Sequence, residues 1–134
     1  MTTVLVVDDE ALIVMALEAV LEDEGYRVLT ASNGRQGLDQ LATEPRPDVV
    51  LLDMMMPVMG GAAMLRAMAE DPALRRIPVV VMSSLPEKTL RQQADGAAAV
   101  VRKPYTAEEV LAAVTRVLGC EESRRDAGNQ QTGA

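Results

Sequence analysis

Val49-Val50-Leu51-Leu52-Asp53-Met54-Met55-Met56-Pro57-Val58-Met59-Gly60-Gly61 is the stretch that decides the fold. Four consecutive Val and Leu residues make a strand that is apolar on both sides, as in a parallel sheet covered on both faces. The run stops at a carboxylate, and a Met- and Gly-rich loop follows. The same arrangement recurs along the chain. Val4-Leu5-Val6-Val7 stops at Asp8-Asp9, Val79-Val80-Val81-Met82 stops at Ser83-Ser84, and Val100-Val101 ends near Lys103-Pro104. Val28-Leu29-Thr30 reads as one more strand.

Helical periodicity fills the intervals. From Glu10 to Glu24, Ile13, Leu17, Val20 and Leu21 share a face, and Gly25 ends the segment. Asn33-Gly34 opens a short helix carrying Leu38 and Leu41, closed by Pro45 and Pro47. Ala62 to Glu70 turns Leu65 and Met68 inward, and a weaker helix spans about Glu87 to Ala94. Thr106 and Glu109 have capping-box spacing before a last helix with Val110, Val114, Val117 and Leu118 as its inner stripe. Alternating strands and helices predict an α/β fold: a doubly wound five-stranded parallel sheet, order 2-1-3-4-5, with helices on both faces. Residues 1–120 are expected to form this single domain, and the apolar-poor residues 121–134 a disordered polar tail.

Composition excludes several chemistries. The 134 residues contain no histidine, which removes Ser-His triads and histidine metal sites, and the aromatics are only Tyr26 and Tyr105. A net charge of −7 disfavours direct nucleic-acid binding. The start, Met1-Thr2-Thr3, has neither a basic region nor a long apolar run, so neither a signal peptide nor a membrane span is expected. The single cysteine, Cys120, forms no internal disulfide, and the expected location is the cytoplasm.

Asp8-Asp9, Asp53, Ser83 and Lys103 all follow strand ends of one sense. In this topology those ends lie along one edge, and the strand order reverses between the first and third strands. Three carboxylates gathered there repel one another unless a cation offsets the charge, and magnesium (Mg2+) suits a few carboxylates plus phosphate oxygens. A serine hydroxyl and a lysine complete a set fitted to phosphoryl transfer, with one carboxylate as nucleophile.

Val6-Val7-Asp8-Asp9, the stretch from Leu52 to Gly61, Val81-Met82-Ser83 and Lys103-Pro104-Tyr105 together resemble the receiver domains of two-component response regulators, of the chemotaxis-regulator-like single-domain type. The resemblance covers about residues 3 to 119. It implies a phosphorylation-dependent switch that takes a phosphoryl group from a histidine kinase or phosphotransfer protein onto Asp53. Asp9 is implied as a direct Mg2+ ligand, Asp8 as one acting through metal-bound water, and the Met55 backbone carbonyl as a further ligand beside Asp53. Ser83 and Lys103 are implied as the groups that meet the phosphoryl oxygens, and the Lys103–Pro104 bond as cis. With no output domain in this chain, the signal is expected to leave by protein contact or onward phosphorelay, from a monomer or weak dimer. The family aromatic three residues before the Lys-Pro pair is replaced by Val100. Met55 and Leu85 are apolar where an attacking water has to pass, so slow self-dephosphorylation is expected.

Other classes stand beside this one. A phosphatase of the haloacid dehalogenase type needs Asp-x-Asp after its nucleophile strand, and the first strand here ends Asp8-Asp9-Glu10. A flavodoxin-like binder needs a Ser-, Thr- and Gly-rich loop there instead. A receiver used only for dimerisation would not require the intact acidic set.

Overall fold

The computed structural model describes the backbone of residues 2–132 and the side chains of residues 2–119; the tail expected over 121–134 lies outside the described side chains. Ten elements alternate: β1 (Thr3–Val7), α1 (Ala11–Asp23), β2 (Arg27–Ala31), α2 (Gly34–Leu41), β3 (Val49–Asp53), α3 (Gly61–Glu70), β4 (Val79–Ser83), α4 (Glu87–Gln93), β5 (Ala99–Arg102) and α5 (Ala107–Thr132). The strands form one parallel sheet in the order β2-β1-β3-β4-β5, as the apolar runs predict.

Alternation of side chains across the pleat divides the core in two. Val4, Val6, Val49, Leu51, Val80 and Met82 pack with Leu17 and Leu21 of α1 and Val110, Val114 and Val117 of α5. Leu5, Val7, Val50, Leu52, Val79 and Val81 pack on the opposite face with α2, α3 and α4, through Leu41, Met64, Met68 and Leu90. Every residue of β1, β3 and β4 is buried, as continuous apolar runs require of central strands. The outer strands differ. β2 is mostly half-buried, and β5 alternates, with Val100 and Arg102 turned outward.

Helix starts follow local chemistry. Asn33 caps α2 by accepting from the Gln36 N–H at 2.9 Å. The capping box at α5 forms as expected, with the Glu109 N–H donating to Thr106 Oγ1 at 3.2 Å. Gly60 stands at the N-cap of α3 and supplies no side-chain bond. No helix among the described residues is long and apolar enough to cross a membrane.

Candidate functional site

Parallel pairing brings the C-terminal ends of β1, β3, β4 and β5 to one edge. Asp8 directly follows β1, Asp53 is the last residue of β3, Ser83 the last of β4, and Lys103 directly follows β5. Carboxylate oxygens of Asp8, Asp9 and Asp53 lie within 4.8 Å of one another. Asp53 is 3% exposed, Asp8 1%, and Asp9 faces solvent. The three carboxylates thus form one cluster at the edge where the strand order reverses.

Asp53 Oδ1 accepts from Lys103 Nζ at 3.0 Å across 50 residues of sequence. Burial works against the Lys103 charge, but the hydrogen bond and charge of Asp53, with Asp8 behind, outweigh it and raise its pKa. Asp8 Oδ1 accepts from the Glu10 N–H at 2.9 Å, which orients the carboxylate at the start of α1. Its other oxygen, Oδ2, is buried and has no partner, the sole such side-chain atom among the described residues. Burial is the main cause of a raised Asp8 pKa; the Glu10 N–H opposes it, and the Asp53 charge adds to it.

An orphaned buried carboxylate oxygen beside two further carboxylates is a donor set short of a counter-charge. A hard divalent cation with oxygen preference fits that deficit better than the single Lys103 ammonium does.

Ser83 is 1% exposed, and its Oγ accepts from the Leu85 N–H at 2.9 Å. The hydroxyl proton remains available to donate toward the cleft. The Lys103 N–H donates to the Ser83 carbonyl at 2.9 Å, tying the ends of β4 and β5 together. The Lys103–Pro104 peptide is cis, as the resemblance implied. Tyr105 lies half-buried beside Ile13 and Leu17 of α1 in an apolar groove of about 410 Å³, with its pKa raised by burial and then by the Asp8 charge. The Met55 side chain points to solvent on the loop after Asp53.

Two glycines, Gly34 and Gly61, also shape the site. A Cβ on Gly61 would stand 2.7 Å from the Asp53 carbonyl oxygen and 2.8 Å from Met54 Cα. A Cβ on Gly34 would stand 2.8 Å from both the Met59 carbonyl oxygen and Met59 Cγ. These glycines let α3 and α2 close on the loop that leaves Asp53. Their signal in sequence is a Gly at each helix start; the partner segment is not visible there.

Residues 4–115 match the response regulator receiver domain. The chain belongs to that family. Protein PilH of Pseudomonas aeruginosa is 34% identical over 120 residues, covering 88% of this chain and 98% of that one. The sporulation initiation phosphotransferase F of Bacillus subtilis is 37% identical over 117 residues, covering 86% and 92%. Among solved structures, the chemotaxis response regulator CheY4 of Vibrio cholerae superposes with a TM-score of 0.79 at 33% identity, covering 87% of this chain and 98% of that one. The receiver domain of a Pseudomonas aeruginosa sensor histidine kinase, with a magnesium ion coordinated in its active-site cleft, has a TM-score of 0.80 at 25% identity, covering 88% and 98%. The receiver is thus a phosphorylation-dependent switch of two-component signalling, a family whose partners are histidine kinases or phosphotransfer proteins.

Proposed function

We propose that Asp53 is the phosphoacceptor of this receiver and that Asp8, Asp9 and the Met55 carbonyl hold Mg2+ beside it. The observation that carries the reading is the pairing of buried Asp53 with Lys103 next to the partnerless Asp8 oxygen. When bound, Mg2+ supplies the counter-charge that lets a dianionic phosphoryl group approach a carboxylate cleft.

The protein groups then divide the work. An Asp53 oxygen attacks phosphorus and a P–O bond forms as the P–N bond to the donor imidazole breaks; the electron pair stays on that nitrogen, and the imidazole, already protonated on its other ring nitrogen, leaves as the neutral ring. Lys103 exchanges its Asp53 contact for a phosphoryl oxygen, and Ser83 donates its hydroxyl proton to another. This is the extent of the proposed chemistry: the protein catalyses its own phosphoryl transfer and a slow self-dephosphorylation, and turns over no separate substrate. Slow hydrolysis follows from Met55 and Leu85, apolar side chains on the loops that flank the approach of water. A Met55→Asn change is expected to speed hydrolysis several-fold, roughly the gain of one polar contact to the attacking water. An unchanged rate would count against that part.

The site needs no residue outside 1–120, and a cytoplasmic location follows from kinase donors acting there. Intact-protein mass after incubation with acetyl phosphate tests the reading. Uptake of one phosphoryl group that requires both Mg2+ and an intact Asp53 is the expected result. Equal uptake by Asp53→Asn would overturn it.

A further inference from the structure

Val58 is the only non-glycine residue with positive φ among the described residues, at 67°, and it is 82% exposed. A β-branched residue in the left-handed region is strained by its own Cβ substituents. Exposure means that no packing of the side chain offsets the strain. Its cause lies on either side. At one end, the Gly61 N–H donates to the Met54 carbonyl at 3.1 Å, holding the start of the loop against α3. At the other, the Gly34 N–H donates to the Met59 carbonyl at 2.8 Å, holding the end of the loop against α2. Between the clamps the chain reverses through a turn in which the Met59 N–H donates to the Pro57 carbonyl at 2.7 Å, with Val58 at its centre.

That loop leaves directly from Asp53. A loop held against its own strain is released more readily than a relaxed one, and release at the Met59–Gly34 clamp shifts the backbone from 54 to 58 beside the acidic cluster. We propose that Val58 is a positioning residue that sets cation affinity: its strain lowers the population of the closed loop and so weakens Mg2+ binding at the cleft. The inference rests on the cation site proposed above. The apparent affinity of a site falls with the fraction of molecules in the binding-competent form, so relieving the strain raises affinity without adding a ligand.

Three substitutions separate strain from side-chain polarity. Val58→Asn and Val58→Gly tolerate positive φ, whereas Val58→Thr keeps the β-branch and loses the apolar character. Thermal melts without cation, followed by melts across a magnesium chloride titration, give stability and Mg2+ affinity separately. The expected result is a higher cation-free melting temperature for Val58→Asn, and Mg2+ affinity tightened roughly twofold in Val58→Asn and Val58→Gly, the gain open to a loop closed in about half of the wild-type molecules. Val58→Thr is expected to track the wild type in both. The proposal is overturned if Asn and Gly bind Mg2+ no more tightly than Val, or if Thr tightens binding as much as Asn does. Lack of Mg2+ stabilisation in every variant, wild type included, would overturn the cation site itself and this proposal with it. In the first two outcomes a wild type that still binds Mg2+ leaves the site standing, so the two failures are told apart.

Discussion

The cleft at the ends of β1 and β3 and the face formed by β5 and α4 are built from the same sheet to opposite standards. In the cleft, Asp8, Asp53 and Ser83 are almost fully buried, the backbone closes to within contact of Gly61, and Lys103 reaches across the edge to Asp53. On the other face, Val100 is 41% exposed and lines an open pocket of about 690 Å³ with Leu90, Ala94 and Ala97 beneath a rim of Glu87, Arg91 and Arg102. Central strands, covered on both sides, hold charged groups in place by packing. An edge strand does not, and the family's aromatic is missing there. The difference is that the polar groups of the cleft are fixed by packing on central strands, whereas the edge strand carries the half-exposed Val100 where the family has an aromatic.

Substitutions in the two regions are expected to separate sharply. Gly61→Ala forces a Cβ onto the Asp53 and Met54 backbone, which cannot rotate away as a side chain does. A loss of about 3 kcal/mol is expected in urea denaturation. A loss below about 0.5 kcal/mol would mean that the loop gives more freely than its contacts indicate. Lys103→Met leaves the Asp53 carboxylate buried beside Asp8 with no cation, and should cost about 2 kcal/mol without Mg2+. It should also slow acetyl phosphate uptake at least about tenfold, through loss of a charged partner for the phosphoryl oxygens.

Asp8 gives an effect of the opposite sign. Its pKa is raised by burial, so between the unfolded value of about 4 and the raised one the folded protein binds more protons than the unfolded chain. Stability in this respect is fully present below the unfolded pKa and is lost as pH rises through the folded one. Asp8→Asn removes the buried charge and keeps an oxygen for the Glu10 N–H. It should stabilise the cation-free protein at neutral pH by about 1 kcal/mol, flatten that part of the pH profile, and abolish stabilisation by Mg2+. Melts at several pH values, with and without Mg2+, check all three. The smallest effect is expected on the other face: Val100→Thr should change stability by less than about 0.5 kcal/mol and leave phosphoryl uptake within about twofold. A larger loss of uptake would break the contrast between the two regions.

The strands were legible because Val4–Val7, Val49–Leu52 and Val79–Met82 are unbroken apolar runs, a pattern only doubly covered strands need. Their polar ends made the site legible too, since topology alone carries Asp8, Asp53 and Ser83 to one edge. The first helix was less clear. It is apolar nearly all round, yet the face of Ile13, Leu17, Val20 and Leu21 is the one turned inward, with Leu17 and Leu21 buried and Leu12 and Met15 81% and 64% exposed. The strained φ at Val58, the clamp between Gly34 and Met59, and the partnerless Asp8 oxygen were not legible at all. Each arises where segments far apart in sequence approach closely, and no local pattern records such a meeting.

In the proposed switch Asp53, rather than its two acidic neighbours, carries the phosphoryl group. Borohydride reduction of the acetyl phosphate-treated protein converts a phosphorylated aspartate to homoserine, which peptide mass spectrometry then locates. Homoserine at position 53 alone, formed only with Mg2+ present, is the predicted result. Homoserine at position 8 or 9, or at 53 without any need for Mg2+, would contradict it.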